Sequence, residues 1–188
     1  AILQAAESGM GPAGMGTTVV ALKMEDHRYE IGWVGDCRAY LWNGSRLQQL
    51  TKDHSYTQYL VDKGIISADD TENHPQQNFI MQALGSTELD DVSVDTVEGI
   101  LYKAEQLLLC SDGLTKDLED QDMAAILSRN HDEQQTTDLL VGAALKNGGS
   151  DNITAVLVSA DADAPARPMG AYGFRALFAR LVALFKLE

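Results

Sequence analysis

Residues 17–35 read TTVVALKMEDHRYEIGWVG, and this stretch decides the fold. Two short runs rich in β-branched and aromatic residues flank a polar segment at residues 25–28, which is typical of two strands joined by a turn. A second hairpin is indicated directly downstream, where residues 38–42 and 45–50 flank Asn43-Gly44. Asn-Gly favours the positive φ angles that a type I′ turn requires. The sequence therefore predicts antiparallel strand pairs.

Three more strands and three helices are indicated further along the chain. VSVDTV (92–97), QLLLC (106–110) and NITAVLVS (152–159) have strand character, and QLLLC is apolar enough to be buried on both faces. Helical spacing predicts helices over residues 55–63, 119–129 and 133–145, the first ending at Gly64. Strands at both ends of the chain with helices between them predict an α+β domain with antiparallel sheets.

The composition changes after residue 160, which divides the chain into three parts. Residues 1–160 are the predicted core, and residues 161–170, DADAPARPMG, are a predicted linker. Residues 171–188 predict an amphipathic helix, whose apolar face carries Phe174, Leu177, Phe178, Leu181 and Phe185. Contact of residues 174–187 with this chain's own core, with a protein partner, or with a membrane surface remains open.

Charge, cysteine content and hydropathy limit the partners and the location of the protein. The formal net charge is −14, which disfavours nucleic acid as a partner but permits binding of divalent cations through carboxylates. The two cysteines, Cys37 and Cys110, show no CxxC spacing, so a reducing compartment is expected. The sequence predicts neither a membrane span nor a signal peptide. We therefore expect a cytoplasmic protein, with peripheral membrane contact through the tail as the alternative.

Three aspartates beside predicted strands are candidate metal ligands. Asp36 follows one strand in VGDCRAY, Asp112 follows another in LLLCSDGL, and Asp151 precedes a third in NGGSDNIT. Any one of them alone is better explained as a turn residue. Together, three carboxylates at strand ends could converge on one rim of a sheet and coordinate divalent ions.

Six motifs in order resemble a known family. They are GMGTTVVAL (14–22), WVGDCRAYLW (33–42), DHS (53–55), HP (74–75), LLLCSDGL (107–114) and GGSDNITAVLV (148–158). This series is similar to the bacterial-type metal-dependent protein phosphatases, the protein phosphatase 2C family. The resemblance implies an antiparallel two-sheet β-sandwich flanked by helices in αββα order. It also implies a hydrolase that acts on phosphoserine and phosphothreonine in protein substrates, with a kinase or its targets as partners.

The same resemblance implies roles for individual residues. Asp112 and Asp151 match ligands of a dinuclear Mn²⁺ or Mg²⁺ centre, and Asp36 matches the ligand of a third ion. Ser111 and Asn152, adjacent to these ligands, are expected to support them by hydrogen bonds. No side chain is predicted to be catalytic, because two such ions about 3.5 to 4 Å apart can activate a bridging water for attack on the phosphoester.

The chain departs from the family pattern at its start. GMGPAGMG (9–16) has no Asp before its glycines, so the family's DGMGG-like motif is absent, as is its RxxNED-like segment. The bridging aspartate and the phosphate-binding arginine are therefore expected upstream of Ala1. Two alternatives stay open: a piece of an active phosphatase, or a catalytically inactive phosphatase-like module that binds a phosphoprotein or a regulatory partner.

The remaining candidate residues carry weaker signals. His54 and His74 have no Cys or His partner at ligand spacing, so loop roles are favoured over zinc binding. No GxSxG or Walker A motif occurs, which leaves serine hydrolase and nucleotide-binding functions without support. The polar stretch from residue 53 to residue 82 resembles the family's flap, which would border the substrate site.

Overall fold

A computed structural model of the chain describes residues 2–12, 14–71, 74–86, 92–129 and 131–168. The strands are β1 (Val19–Glu25), β2 (Arg28–Val34), β3 (Arg38–Trp42), β4 (Leu47–Gln49), β5 (Asp95–Ile100), β6 (Gln106–Cys110) and β7 (Ala155–Ser159). The α-helices are α1 (Ile2–Glu7), α2 (Tyr56–Asp62), α3 (Asp112–Asp117), α4 (Asp120–Leu127) and α5 (Glu133–Asn147). All strand pairs are antiparallel and form two sheets, in the orders β1-β2-β5 and β4-β3-β6-β7.

The core between the two sheets is built from alternate residues of their strands. Ile31 and Trp33 of β2 pack against a cluster that includes Leu41 of β3 and Leu107 and Leu109 of β6. Because successive side chains of a strand point to opposite faces, the intervening residues of β3 and β6 face the other way. Strand β6 is thus buried on both faces, which confirms the expectation from its apolar sequence.

The helices α3, α4 and α5 contribute to a second apolar cluster with the four-stranded sheet. Leu108 of β6 packs there with Leu114, Met123 and Leu140, one from each of the three helices. Helix α5 begins after Asp132, whose side chain accepts a 2.7 Å hydrogen bond from the backbone N–H of Gln135. The predicted α+β fold with two antiparallel sheets and helices is confirmed.

The turn predicted at Asn43-Gly44 is wrong in type, although the hairpin itself is present. Trp42 pairs with Leu47, so four residues connect β3 and β4, and of these only Gly44 has a positive φ. The Asn43 side-chain oxygen accepts hydrogen bonds from the backbone N–H groups of Ser45 and Arg46, at 3.0 and 2.8 Å. This Asx turn needs one positive φ and not the two of a type I′ turn.

Other elements also differ from the prediction. Strand β7 begins at Ala155 and not at Asn152. Strand β5 begins at Asp95 and not at Val92, because its register is fixed by pairing with β2, in which Asp95 faces Trp33. Helix α3 was not predicted. It spans six residues, which is too short for an apolar period to be visible in the sequence.

The segment after β7 lies against the domain as far as the structure describes it. Arg167 donates from Nε to Glu105 Oε1 at 2.6 Å and forms a salt bridge from Nη2 at 2.5 Å. The guanidinium also lies over the Tyr102 ring, 4.7 Å from its centroid. The division into a core at 1–160 and a linker at 161–170 stays a prediction, and the predicted helix at 171–188 lies outside the described residues. None of the helices within the described ranges is long and apolar enough to span a bilayer.

We expect Arg167→Met to lower the free energy of unfolding by about 2 kcal/mol, because the Glu105 carboxylate would lose its charged partner while buried. Only 3% of the Glu105 side chain is exposed, against 25% for Arg167. Urea denaturation of the 188-residue chain measures the change. Arg46→Met, at an exposed arginine in the β3–β4 turn, is the control. A loss of stability equal to that of the control would show that water replaces Arg167 as the hydrogen-bond partner of the Glu105 carboxylate.

Candidate metal centre

The three predicted ligands flank strands that lie side by side in the four-stranded sheet. Arg38 at the start of β3 pairs with Cys110 at the end of β6, and Cys110 pairs with Ala155 at the start of β7. Asp36 precedes β3, Asp112 follows β6 and Asp151 precedes β7. The antiparallel register therefore brings all three carboxylates to the same edge of the sheet.

Asp112 and Asp151 converge on one cation, the Lys116 ammonium. Lys116 Nζ lies 2.6 Å from Asp112 Oδ2 and 2.8 Å from Asp151 Oδ2. The hydrogen bond from Lys116, aided by the backbone N–H of Asn152, holds the pKa of Asp151 below its usual value. Partial burial lowers the pKa of Lys116, but its bonds to the two carboxylates outweigh that effect and raise it.

Asp36 lies in the same cleft as Asp112 but outside this three-residue contact. Burial, and next the negative charge of Asp112, raise the pKa of Asp36 above its usual value. Within the described ranges, no three Asp, Glu, His or Cys side chains form a group that could hold one metal ion. The described residues therefore supply a pair of carboxylates, with Asp36 as their neighbour.

The loops that carry Asp112 and Asp151 are in direct backbone contact. Ser111 Oγ donates to the Asn152 carbonyl at 3.1 Å and accepts from the Thr154 backbone N–H at 3.0 Å. The Ser111 backbone N–H also donates to the Thr154 carbonyl. The supporting roles of Ser111 and Asn152 stay a prediction, but these bonds hold the residues next to the two aspartates at a fixed separation.

Asp117 is a positioning residue that the sequence analysis missed. Its Oδ2 accepts a 3.0 Å hydrogen bond from the Ser150 backbone N–H, and its carbonyl accepts from Asn147 Nδ2 at 2.9 Å. The last residue of α3 thus holds the turn that leads into Asp151. For the neighbouring Lys116 the sequence did carry a partial signal, because Asp112 and Lys116 are four residues apart, which is the spacing of an ion pair on one helical face. Nothing local linked Asp117 to residue 150.

His54 holds the loop that carries Asp36. Its backbone N–H donates to the Gly35 carbonyl at 2.9 Å, and its ring Nδ1 accepts from the Gly35 N–H at 3.2 Å. Since Nδ1 is an acceptor, the ring proton belongs on Nε2, which lies 3.6 Å from Asp95 Oδ2. The sequence predicts only a loop role for His54. It does lie in a loop, but its ring is buried and fixes the residue before Asp36.

Arg38 and Asp53 form a bidentate pair beside the aspartates. Arg38 donates from Nε to Asp53 Oδ1 at 3.0 Å and from Nη2 to Oδ2 at 2.7 Å, and Nη1 donates to the Tyr40 hydroxyl at 3.2 Å. Both residues line a cleft of about 990 Å³ together with Asp36, Asp112 and Lys116. Carboxylates predominate on this cleft, whose surface therefore favours cations.

Known proteins resemble this chain over most of its length. The chain is 42% identical over 156 residues to the serine/threonine phosphatase stp of Listeria monocytogenes. The matched region covers 83% of this chain and 61% of that protein. It superposes on the Staphylococcus aureus serine/threonine phosphatase Stp1 with a TM-score of 0.78 at 33% identity, covering 85% of this chain and 62% of the other. The chain belongs to the protein phosphatase 2C family. No family profile matches it.

A third relative bears on the metals. The catalytic domain of the serine/threonine protein phosphatase PstP, in complex with two manganese ions, superposes with a TM-score of 0.68 at 32% identity, covering 83% of this chain and 64% of that one. This protein phosphatase 2C chain thus spans about three fifths of the length of each of these three relatives.

The stretch that resembles the protein phosphatase 2C flap lies beside the aspartates. It contains α2 and a 3₁₀ turn at Ala68–Asp70. The Tyr56 ring contacts the rings of Tyr59 and Phe79, each with its centroid 6.2 Å away. Ser55, Thr57, Gln77 and Asn78 line the same cleft as Asp36.

Proposed function

We propose that this chain is the catalytic portion of a metal-dependent protein serine/threonine phosphatase. Asp112 and Asp151 bind the pair of Mn²⁺ or Mg²⁺ ions, and Asp36 binds an additional ion. The observation that carries the proposal is the convergence of the Asp112 and Asp151 carboxylates on one cation, at 2.6 and 2.8 Å. The presence of two manganese ions in the related PstP domain supports the choice of metal.

The residues present fit such ions. Carboxylate oxygens are the ligands that Mn²⁺ and Mg²⁺ prefer, and Asp112 and Asp151 already present one oxygen each to a shared cation. When bound, ions of this kind activate water and offset the charge on the phosphoryl oxygens. Ser111 and Asp117 hold the two ligand loops in place, so the carboxylates need little reorganisation to bind.

The substrate of this activity is a phosphorylated protein. The cleft beside the aspartates is open and is bordered by the flap-like stretch, which suits an extended phosphopeptide. Kinases and their targets are the partners that such a phosphatase serves. A cytoplasmic location, with peripheral membrane contact as the alternative, is supported by Cys37 and Cys110, which are both free.

One observation favours a second function. Because no group of three potential ligands occurs among the described residues, this chain could instead be a catalytically inactive module that binds a phosphoprotein or a regulatory partner. Such binding would be indifferent to chelators and would survive loss of Asp112. Binding that disappears on addition of EDTA would contradict it.

We expect Asp112→Asn to abolish metal-dependent hydrolysis of a phosphothreonine peptide, because an amide cannot replace the anionic ligand of a hard dication. Release of phosphate with Mn²⁺ or Mg²⁺, and its loss on chelation, measures the activity. Asp138→Asn, at an exposed position of α5, is the control and should leave turnover unchanged.

The assay uses two forms of the protein. One is the 188-residue chain, and the other is a chimera that adds the upstream residues of the Listeria phosphatase, since this chain spans 61% of that protein. Turnover by the chimera alone would show that upstream residues complete the site. A folded chimera that shows no turnover with either Mn²⁺ or Mg²⁺ would contradict the phosphatase proposal.

A further inference from the structure

Lys116 stands where the two candidate ligands meet. It lies one helical turn after Asp112 on α3, and its ammonium reaches Asp151, which is 35 residues further along the chain. Both contacts use Oδ2 atoms, so the same two oxygens that could bind an ion are already bonded to Lys116. About a third of the Lys116 side chain is exposed.

An ammonium group and a divalent ion exclude each other at this position. Two cations at the separation of a shared ligand repel strongly, and each carboxylate oxygen would have to divide its charge between them. The long and flexible lysine stem allows the ammonium to turn into solvent, where it is well hydrated. Binding of an ion to both oxygens therefore requires that Lys116 leave.

We propose that Lys116 is an internal competitor of the metal, bridging Asp112 and Asp151 when no ion is bound and leaving when an ion binds. The inference rests on the proposed function, because it presumes that Asp112 and Asp151 are metal ligands. The consequence is a lower metal affinity. The ion must displace two charge-assisted hydrogen bonds, so the site binds it more weakly than the bare carboxylates would and needs a higher metal concentration to be occupied.

Loss of the Lys116 charge is expected to change metal affinity and the stability of the metal-free protein in opposite directions. Removal of the Lys116 charge strengthens metal binding, yet it destabilises the metal-free protein because two carboxylates are then left to repel each other. A lysine that only stabilises the fold would cost stability to the same extent with and without metal. A lysine that assists metal binding would weaken it when removed. The opposite effects on the two states identify a competitor.

The test compares Lys116→Met, which keeps the apolar stem, with the charge-preserving Lys116→Arg in the 188-residue chain. Mn²⁺ binding is followed by the electron paramagnetic resonance signal of free Mn²⁺ at fixed ionic strength, and melting temperature is recorded with and without Mn²⁺. Two exposed charge pairs are worth on the order of 1 kcal/mol in total, so Lys116→Met should bind Mn²⁺ about fivefold more tightly. It should also melt at a lower temperature without metal, while Lys116→Arg stays near the unsubstituted chain.

Lys146→Met, at an exposed lysine near the end of α5, controls for the change in net charge. Equal tightening in that variant would overturn the inference, because it would reflect only the overall field of the protein. Unchanged or weaker Mn²⁺ binding in Lys116→Met, with binding by the unsubstituted chain intact, would overturn the inference and leave the proposed function standing. The same measurements are made in the chimera that carries the upstream Listeria residues. Absence of Mn²⁺ binding in the chimera as well as in the 188-residue chain would overturn the inference and also the assignment of Asp112 and Asp151 as ligands.

Discussion

Replacing Gly113 with alanine is expected to lower the free energy of unfolding by about 3 kcal/mol and to weaken Mn²⁺ binding, because the added methyl has no room. A Cβ at this position would lie 2.4 Å from the Asn152 carbonyl oxygen, 3.0 Å from the carbonyl carbon and 3.3 Å from Asp151 Cβ. The nearest of these atoms belong to the backbone, so no side-chain rotation relieves the overlap. The segment that carries Asp151 would have to move away from Asp112.

A second effect of the same substitution acts in the opposite direction. Gly113 lies in α3, where alanine is favoured over glycine by up to about 1 kcal/mol. Gly142 of α5 isolates this helical contribution, because a Cβ there has no atom within 4 Å. We therefore expect Gly142→Ala to be neutral or stabilising in urea denaturation. If Gly113→Ala resembled Gly142→Ala in both stability and Mn²⁺ affinity, the close approach of the two ligand loops would not matter.

The fold was predictable because its signals are local. Strand β6 was visible as a continuous apolar run, and the two hairpins were visible as polar turns between alternating segments. Element ends were less accurate, since β5 takes its limits from β2 and not from its own sequence. A six-residue helix such as α3 leaves no period to detect.

The site was predictable only in part. Asp36, Asp112 and Asp151 stood out through the ordered motifs of the family, while each alone would have passed as a turn residue. The residues that position them act across the sheet: Lys116 reaches Asp151, and His54 reaches Gly35. Such contacts depend on the register of paired strands, which no short window of sequence contains.

Gly35, in the loop that carries Asp36, shows the same dependence on distant residues. Gly35 has a φ of +103°, and a Cβ there would lie 2.2 Å from Thr18 Cγ2 and 2.5 Å from Thr18 Cβ. Its N–H and carbonyl are both bonded to His54, so the backbone cannot rotate without breaking that pair. An alanine at this position is therefore opposed by backbone strain, by overlap with Thr18 and by loss of the His54 contacts.

We expect Gly35→Ala to cost about 4 kcal/mol, of which about 1 to 2 kcal/mol is backbone strain and the rest is overlap with Thr18 and loss of the His54 contacts. Gly44→Ala measures the backbone strain alone, because Gly44 has a φ of +88° with no atom within 4 Å of an added Cβ. Urea denaturation of both variants gives the difference directly. A Gly35→Ala variant that lost no more stability than Gly44→Ala would show that Thr18 moves aside freely and that the close approach of Thr18 to Gly35 does not matter.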